Sequence, residues 1–350
     1  MRALLSNDLP RSRVLSALLL LIVAVLVLTP FVFSGATPLN VAAKICVFVI
    51  LVASYDVLLG YTGIVSFAHT MFYGIGAYGV GIALYGMGPT WAAVGVGAVA
   101  GLALAIVLSL VIGLFSLRVR AIFFAMITLA VASAFLILAS QLSDLTGGED
   151  GRTFRVPELL RRSYRLVEGD VFGTTITGRI LLYYLIVVVT VALFLLLLRM
   201  VNSPFGRVLQ AIRENPFRAE ALGYRTVVYR SLANVIAAGC AAIAGMLWAL
   251  WLGYTGPNTT LSFAVMLDIL LMVVIGGMGT LYGSVLGAVI FILAENYLQE
   301  LMKTASEATA GLPILPNLLH PDRWLLWLGV LFVLSVYFFP TGIVGRLRRR

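Results

Sequence analysis

An all-α, polytopic membrane bundle of about ten transmembrane segments is the fold class this sequence predicts, on three observations. Hydrophobic residues make up 61% of the 350 and charged residues 11%, against roughly 45–50% and about 25% in a soluble domain. Apolar runs of about 20 residues recur from one end to the other, and that length crosses a hydrocarbon core of about 30 Å at 1.5 Å rise per residue. Alternation at period two is not evident, which argues against a β-barrel.

Taken in order, the spans fall near 14–33, 40–59, 63–86, 91–117, 121–141, 178–199, 231–253, 263–276, 280–299 and 324–339. Arg2, Arg11 and Arg13 precede the first run as they would a secretory signal, but Val14 to Phe33 exceeds the roughly 7–15 apolar residues of a signal core. It is read as an uncleaved first span. The eighth is short for a full crossing and is expected to join the ninth as a broken or re-entrant pair. Residues 1–350 then form one transmembrane domain, with long loops at 142–177 and 200–230 and no separate soluble domain.

The net charge of +9 does not point to nucleic acid. The arginines lie between apolar runs, the pattern of the positive-inside rule. Ten crossings place Arg2, Arg11, Arg13, Arg118, Arg120, Arg199, Arg207, Arg213, Arg218, Arg225, Arg230, Arg346, Arg348, Arg349 and Arg350 on one side, fifteen in all, against eight basic residues on the other. The expectation is cytoplasmic N- and C-termini in a bacterial inner membrane, with 142–177 outside and 200–230 inside.

The inner loop reads as two short helices. Ser203 is a good N-cap and Pro204 suits the first helical position. Phe205, Val208, Leu209 and Ile212 follow on one face, with Arg207, Gln210, Arg213 and Glu214 on the other. Asn215-Pro216 repeats the signal for a helix over Phe217–Leu222, which Gly223 ends in a left-handed conformation. So short an element is not stable alone. It is either a linker against the headgroups or a docking element for a cytoplasmic partner.

Glycines crowd the second and third spans (Gly60, Gly63, Gly74, Gly76, Gly79, Gly81) and the eighth and ninth (Gly276, Gly277, Gly279, Gly283, Gly287). They permit close helix packing or mark broken helices along a pathway. Lys44, Asp56, His69, Asp268 and Glu295 lie in or beside spans, where a charge costs about 2.5–3.5 kcal/mol on insertion scales. Gly63, Ser66, His69, Gly76, Asp268, Gly277 and Gly279 are the pathway or hinge candidates. Ser66 and His69, three apart, share a face if that stretch is helical. No second histidine lies near His69, so no metal site and no histidine-based triad is expected. Cys46 and Cys240 sit in apolar runs and are read as free thiols.

Three blocks carry a resemblance. They are Gly60-Tyr61-Thr62-Gly63-Ile64-Val65-Ser66-Phe67-Ala68-His69 with Met71 to Tyr78, Ser203-Pro204-Phe205-Gly206-Arg207 through Gly223, and Gly276-Gly277-Met278-Gly279-Thr280-Leu281-Tyr282-Gly283. Together they resemble the LivM-type permease subunit of branched-chain amino-acid ABC importers, over nearly the whole chain. Ile64 and Ala68 depart from the Gln and Gly that family members often carry. The resemblance implies a LivH-type second permease, two cytoplasmic ATP-binding subunits and a periplasmic solute-binding protein. Glu220-Ala221 and Gly223 match its coupling motif, and Thr146-Gly147-Gly148 with Gly151 resembles its outer-loop motif. The ATPase-coupling set is then Arg207, Ala211, Arg213, Glu214, Glu220, Ala221 and Gly223, with Arg213 and Glu220 as polar contacts at the ATPase surface. Urea, amide and aromatic-acid importers share the scaffold.

The implied function is an importer subunit moving a small polar solute, most simply a branched-chain amino acid, from periplasm to cytoplasm. The chain has no G-x-x-x-x-G-K-[ST] phosphate loop, so no cofactor is bound by it, ATP is used by partner subunits, and no catalytic residue is assigned. The alternatives are a self-sufficient secondary transporter or channel, which needs no ATPase, and a membrane enzyme, which needs clustered reactive side chains.

Overall fold

The computed structural model describes residues 12–33, 35–116, 121–171, 174–308, 320–339 and 342–348. Of the basic residues counted for orientation, Arg2, Arg11, Arg118, Arg120, Arg349 and Arg350 lie outside them. The long helices are α1 (Arg13–Val32), α2 (Ala36–Asp56), α3 (His69–Met87), α4 (Trp91–Ser116), α5 (Ala121–Gln141), α7 (Gly178–Asn202), α10 (Thr226–Leu252), α12 (Phe263–Gly276), α13 (Leu281–Ala308) and α14 (Trp324–Phe338). Short ones are α6 (Ser143–Thr146), α8 (Pro204–Glu214), α9 (Pro216–Ala221), α11 (Pro257–Thr260) and α15 (Gly342–Arg348). Among the described residues, 9 helical stretches are long and apolar enough to cross a membrane. The predicted third span is not among them: α3 dilutes its apolar run with His69, tyrosines and glycines, and it is buried inside the bundle.

The axis of the bundle is α2. From Val41 to Asp56 every side chain but Lys44 is buried, so this helix is apolar all round, as a fully enclosed helix is. α3, α7, α10, α12 and α13 pack on it or on one another. Glycine lets α3 and α10 meet backbone to backbone. A Cβ on Gly76 would lie 1.9 Å from the Ala242 carbonyl oxygen, and one on Gly245 would lie 1.8 Å from that of Tyr73. The α12–α13 hairpin closes the same way, with Gly287 against Met272 at 1.9 Å. In lipid, where apolar burial drives little association, such close approach supplies the packing energy. The outer helices instead expose apolar side chains, among them Val99, Ile122, Leu325 and Val333, a surface for hydrocarbon rather than water.

Three span boundaries differ from the sequence reading. Residues 63–68 are not helical, so α3 begins at His69 and Ser66 shares no helical face with it. α10 begins at Thr226, five residues before the expected 231. α13 runs on to Ala308, well past 299. α12 has 14 residues, about 21 Å at 1.5 Å each, too short for a core of about 30 Å. The short α11 completes that stretch, and Ser262 caps α12 by accepting from the Val265 N–H at 3.4 Å.

The 142–177 loop folds onto the end of the bundle. Its strand β1 (Arg152–Thr153) pairs antiparallel with β4 (Tyr254–Thr255), which follows α10. β2 (Arg165–Val171) and β3 (Thr174–Thr177) form a second small hairpin. The Thr146-Gly147-Gly148-x-x-Gly151 motif makes the turn that reaches this junction. All three glycines have positive φ, and a Cβ on Gly151 would sit 2.3 Å from the Thr255 carbonyl oxygen. Cys46 and Cys240 are free and buried.

Candidate functional site

The site begins where α2 stops being an α-helix. Val57–Thr62 forms a π turn, a rare device that marks functional positions in helices. Gly63 then takes φ 72°, and residues 64–68 are irregular. α3 starts level with the lower half of α2, because His69 Nε2 lies 3.1 Å from the Leu51 carbonyl oxygen and 3.0 Å from Ser54 Oγ. Its ring also tilts against Tyr55, with centroids 5.3 Å apart. Non-helical backbone at this depth requires enclosure by protein, and the neighbours provide it. Ser66 is buried and its Oγ accepts from the Ala68 N–H at 3.4 Å. The Phe67 N–H donates to Thr128 Oγ1 on α5 at 3.1 Å, and the Phe67 ring lies 5.8 Å from Phe263 at the start of α12.

The second irregular segment, Gly277–Thr280 between α12 and α13, meets the π turn directly. Asp56, wholly buried, accepts the Gly279 N–H on Oδ1 at 2.9 Å. Gly60 allows this approach: a Cβ there would lie 2.1 Å from Asp56 Oδ1 and 2.3 Å from the Gly279 nitrogen. Gly277 in turn supports α15, since a Cβ on Gly342 would lie 2.1 Å from the Gly277 Cα. Two segments more than 220 residues apart thus share one joint.

α8 lies on the same joint. Gly206, Leu209 and Ile212 are buried, and Phe205 stacks on Tyr229 of α10 at 5.6 Å. The apolar face therefore packs on the chain itself. Arg213, expected at the ATPase surface, is exposed and also reaches the joint: its Nη1 donates to the Gly60 carbonyl oxygen, and its Cγ would touch a Cβ on Gly63 at 3.1 Å. A long side chain on the solvated edge of a helix can bend back over its stem. Ser203 occupies the N-cap position, but its hydroxyl donates to Met200 O at 2.6 Å and does not cap the helix. Asn215 does cap α9, accepting from the Arg218 N–H at 3.0 Å. Gly223 takes φ 89°. Glu220 Oε1 accepts from Thr226 Oγ1 at 2.6 Å, tying α9 to the start of α10. Arg207, Ala211, Glu214 and Ala221 are exposed. Sequence reasoning missed Phe217 and Leu222, 80% and 72% exposed, because an apolar residue in so short a helix gives no periodic sign of which way it faces.

The other candidates lie apart from this joint. Gly76 belongs to the α3–α10 crossing. Asp268 is half-buried on α12, within electrostatic reach of Lys44 and Glu295. Those two form an ion pair of 2.7 Å between α2 and α13. Among the described residues no three His, Cys, Asp or Glu side chains are placed to hold a metal ion.

Comparison with known proteins decides the family. Residues 37–336 match the family described as "Branched-chain amino acid transport system / permease component". The chain belongs to this family of permeases. It is 28% identical to the high-affinity branched-chain amino acid transport system permease protein LivM of Escherichia coli K12 over 87% of this chain and 74% of that one. A probable LivM of Methanocaldococcus jannaschii is 28% identical over 62% of this chain and 58% of its own length. The LivH permease protein of Escherichia coli K12 is 24% identical over 90% of this permease and 94% of LivH. No solved structure matches. The permease is thus a multi-pass membrane protein of a transport family and not of an enzyme family.

Proposed function

We propose that this permease is the LivM-type half of an ATP-driven importer that carries branched-chain amino acids into the cytoplasm. It pairs with a LivH-type permease and works with two cytoplasmic ATP-binding subunits and a periplasmic solute-binding protein. Its termini and the α8–α9 unit face the cytoplasm, and 142–177 faces the periplasm. The observation that carries the reading is the α8–α9 unit. Its inner face packs on the joint of two broken helices, and its outer face offers Phe217 and Leu222 to water. Exposed apolar anchors on a charged rim suit a protein partner. A secondary transporter would have no use for such an anchor.

The chain itself binds no cofactor in this reading, and ATP is consumed by the partners. Displacement of α8 by an ATPase is carried through Arg213 to the π turn and through Asp56 to Gly279. The test is reconstitution. Proteoliposomes holding both permeases and both ATPases should take up leucine only with ATP inside the ATPase compartment and solute-binding protein outside. Uptake by this chain alone, or uptake indifferent to ATP, overturns the proposal.

A further inference from the structure

The end of the bundle that carries 142–177 holds a cavity of about 330 Å³ between that loop, α7 and α10. This volume lies at the lower end of the roughly 300–1,000 Å³ of ligand sites. Its floor is apolar and buried: Leu160, Leu182, Leu250 and Trp251. Its rim is cationic: Arg155, Arg161, Arg162 and Arg179. No acidic side chain lines it among the described residues. A second cavity of about 240 Å³, which includes Asn40 and Lys44, adjoins it through the shared Arg179, Trp251 and Leu252. Lys44 is matched by Glu295, so among the described lining residues the four arginines carry the charge that is left without an acidic partner.

Arg179 is the best-held of the four. Its Nη2 donates to Asn40 Oδ1 at 2.7 Å, and its guanidinium lies 4.4 Å above the Trp251 ring. Its Nε is buried without a hydrogen-bond partner. Arg162 lies close enough to repel it. Two guanidinium groups held near each other over an apolar floor gain from an anion between them, and a carboxylate matches the guanidinium fork with two parallel hydrogen bonds. The apolar floor asks the same ligand for a hydrocarbon group.

We propose that this cavity is an outer receiving site for a small carboxylate with an apolar substituent, the chemistry of the solute in the function proposed above, on which this inference rests. Arg179 and Arg162 hold the carboxylate, and Trp251 and Leu250 face the hydrocarbon group. An anionic lipid headgroup offers the same charge, and the test separates the two.

The full chain is placed in nanodiscs of phosphatidylcholine alone and titrated calorimetrically. The probes are L-leucine, 4-methylpentanoate and L-leucinamide, which keeps the side chain but carries no carboxylate. Leucine and methylpentanoate should bind, and leucinamide at least tenfold more weakly. Arg179→Gln and Arg162→Gln should each weaken leucine at least tenfold, while Arg199→Gln, in the last turn of α7, should not. Arg162 is exposed, so its variant tests the site even if Arg179→Gln fails to fold. Equal binding of leucinamide, or no binding of leucine, overturns the inference. So does tight retention of phosphatidylglycerol that leucine cannot displace, which would assign the cavity to lipid. ATP-driven leucine uptake by the assembled transporter, measured alongside, stands or falls separately. Uptake without binding to this chain removes the receiving site and leaves the importer reading intact.

Discussion

Asp56→Ala tests the joint at its smallest part. The Asp56 carboxyl accepts the Gly279 N–H at 2.9 Å in a wholly buried place. Alanine removes the acceptor and leaves that N–H without a partner, and such a loss costs about 1–3 kcal/mol. If Gly279 exchanges by local opening, the opening equilibrium rises by the same free energy, about 5- to 150-fold at 1.4 kcal/mol per factor of ten. Asp56→Asn keeps an oxygen in the same position and should recover most of the protection. The assay is hydrogen–deuterium exchange on the full chain in detergent, read on peptides covering Gly276–Gly283, with peptides of the α3–α10 crossing as an internal standard. Exchange should accelerate at the joint and stay unchanged at the crossing. Unaltered exchange at Gly279 in Asp56→Ala would refute the argument that this bond holds the two irregular segments together.

Three further perturbations probe other links. Glu220→Lys and Gly223→Val should both reduce ATP-driven uptake and ATPase pull-down with normal membrane insertion; the second forces a β-branched residue into φ 89°, at about 1–2 kcal/mol, and normal uptake in both would remove the docking role. Lys44→Ala should destabilise the chain by about 1–3 kcal/mol, between exposed and buried ion pairs, because the pair is only half-buried at 23% and 28% exposure; Glu295→Gln added to it should restore part of the loss, and thermal unfolding of both variants checks this. Single cysteines at Thr153 and Gln210 should label from opposite sides of the membrane, with little background from the buried Cys46 and Cys240; labelling from one side would refute the topology.

The sequence disclosed what is periodic or local. Runs of apolar residues placed most spans within a few residues, and α12 was recognisably too short at 263–276. The Asn215-Pro216 start and the Gly223 stop were legible because each rests on the conformation of one residue. The break before His69 was not. A largely apolar segment reads the same whether it is helical or extended, so composition cannot separate residues 63–68 from α3. The Asp56–Gly279 bond was hidden for another reason: its partners are 223 residues apart, and only the fold brings them together. Asp56 was visible as a polar residue in a span, and Gly60 and Gly279 as glycines in crowded stretches, but nothing local ties the three. Arg213 lies in α8 as expected and is exposed, but its bond to the Gly60 carbonyl oxygen was not legible, because helix spacing fixes where a side chain starts and not where a long one ends.

The direction of Arg213 changes what α8 can transmit. A residue that touched only the ATPase would help hold the partner and convey nothing inward. Turned onto the Gly60 carbonyl oxygen, it links α8 to a π turn whose backbone already departs from α-helical bonding. Gly60 cannot gain a side chain without striking Gly279, so a shift of the π turn must displace the Gly277–Thr280 segment as well. That segment begins α13 and carries α15 against Gly277. Close-packed backbone contacts have little room to yield. In the importer proposed above, a push on α8 would therefore move the lower ends of α2 and α13 together, and these two helices also share the Lys44–Glu295 pair farther along the bundle. With glycine at each contact the segments meet backbone to backbone, where bulkier residues would hold them apart and loosen the coupling.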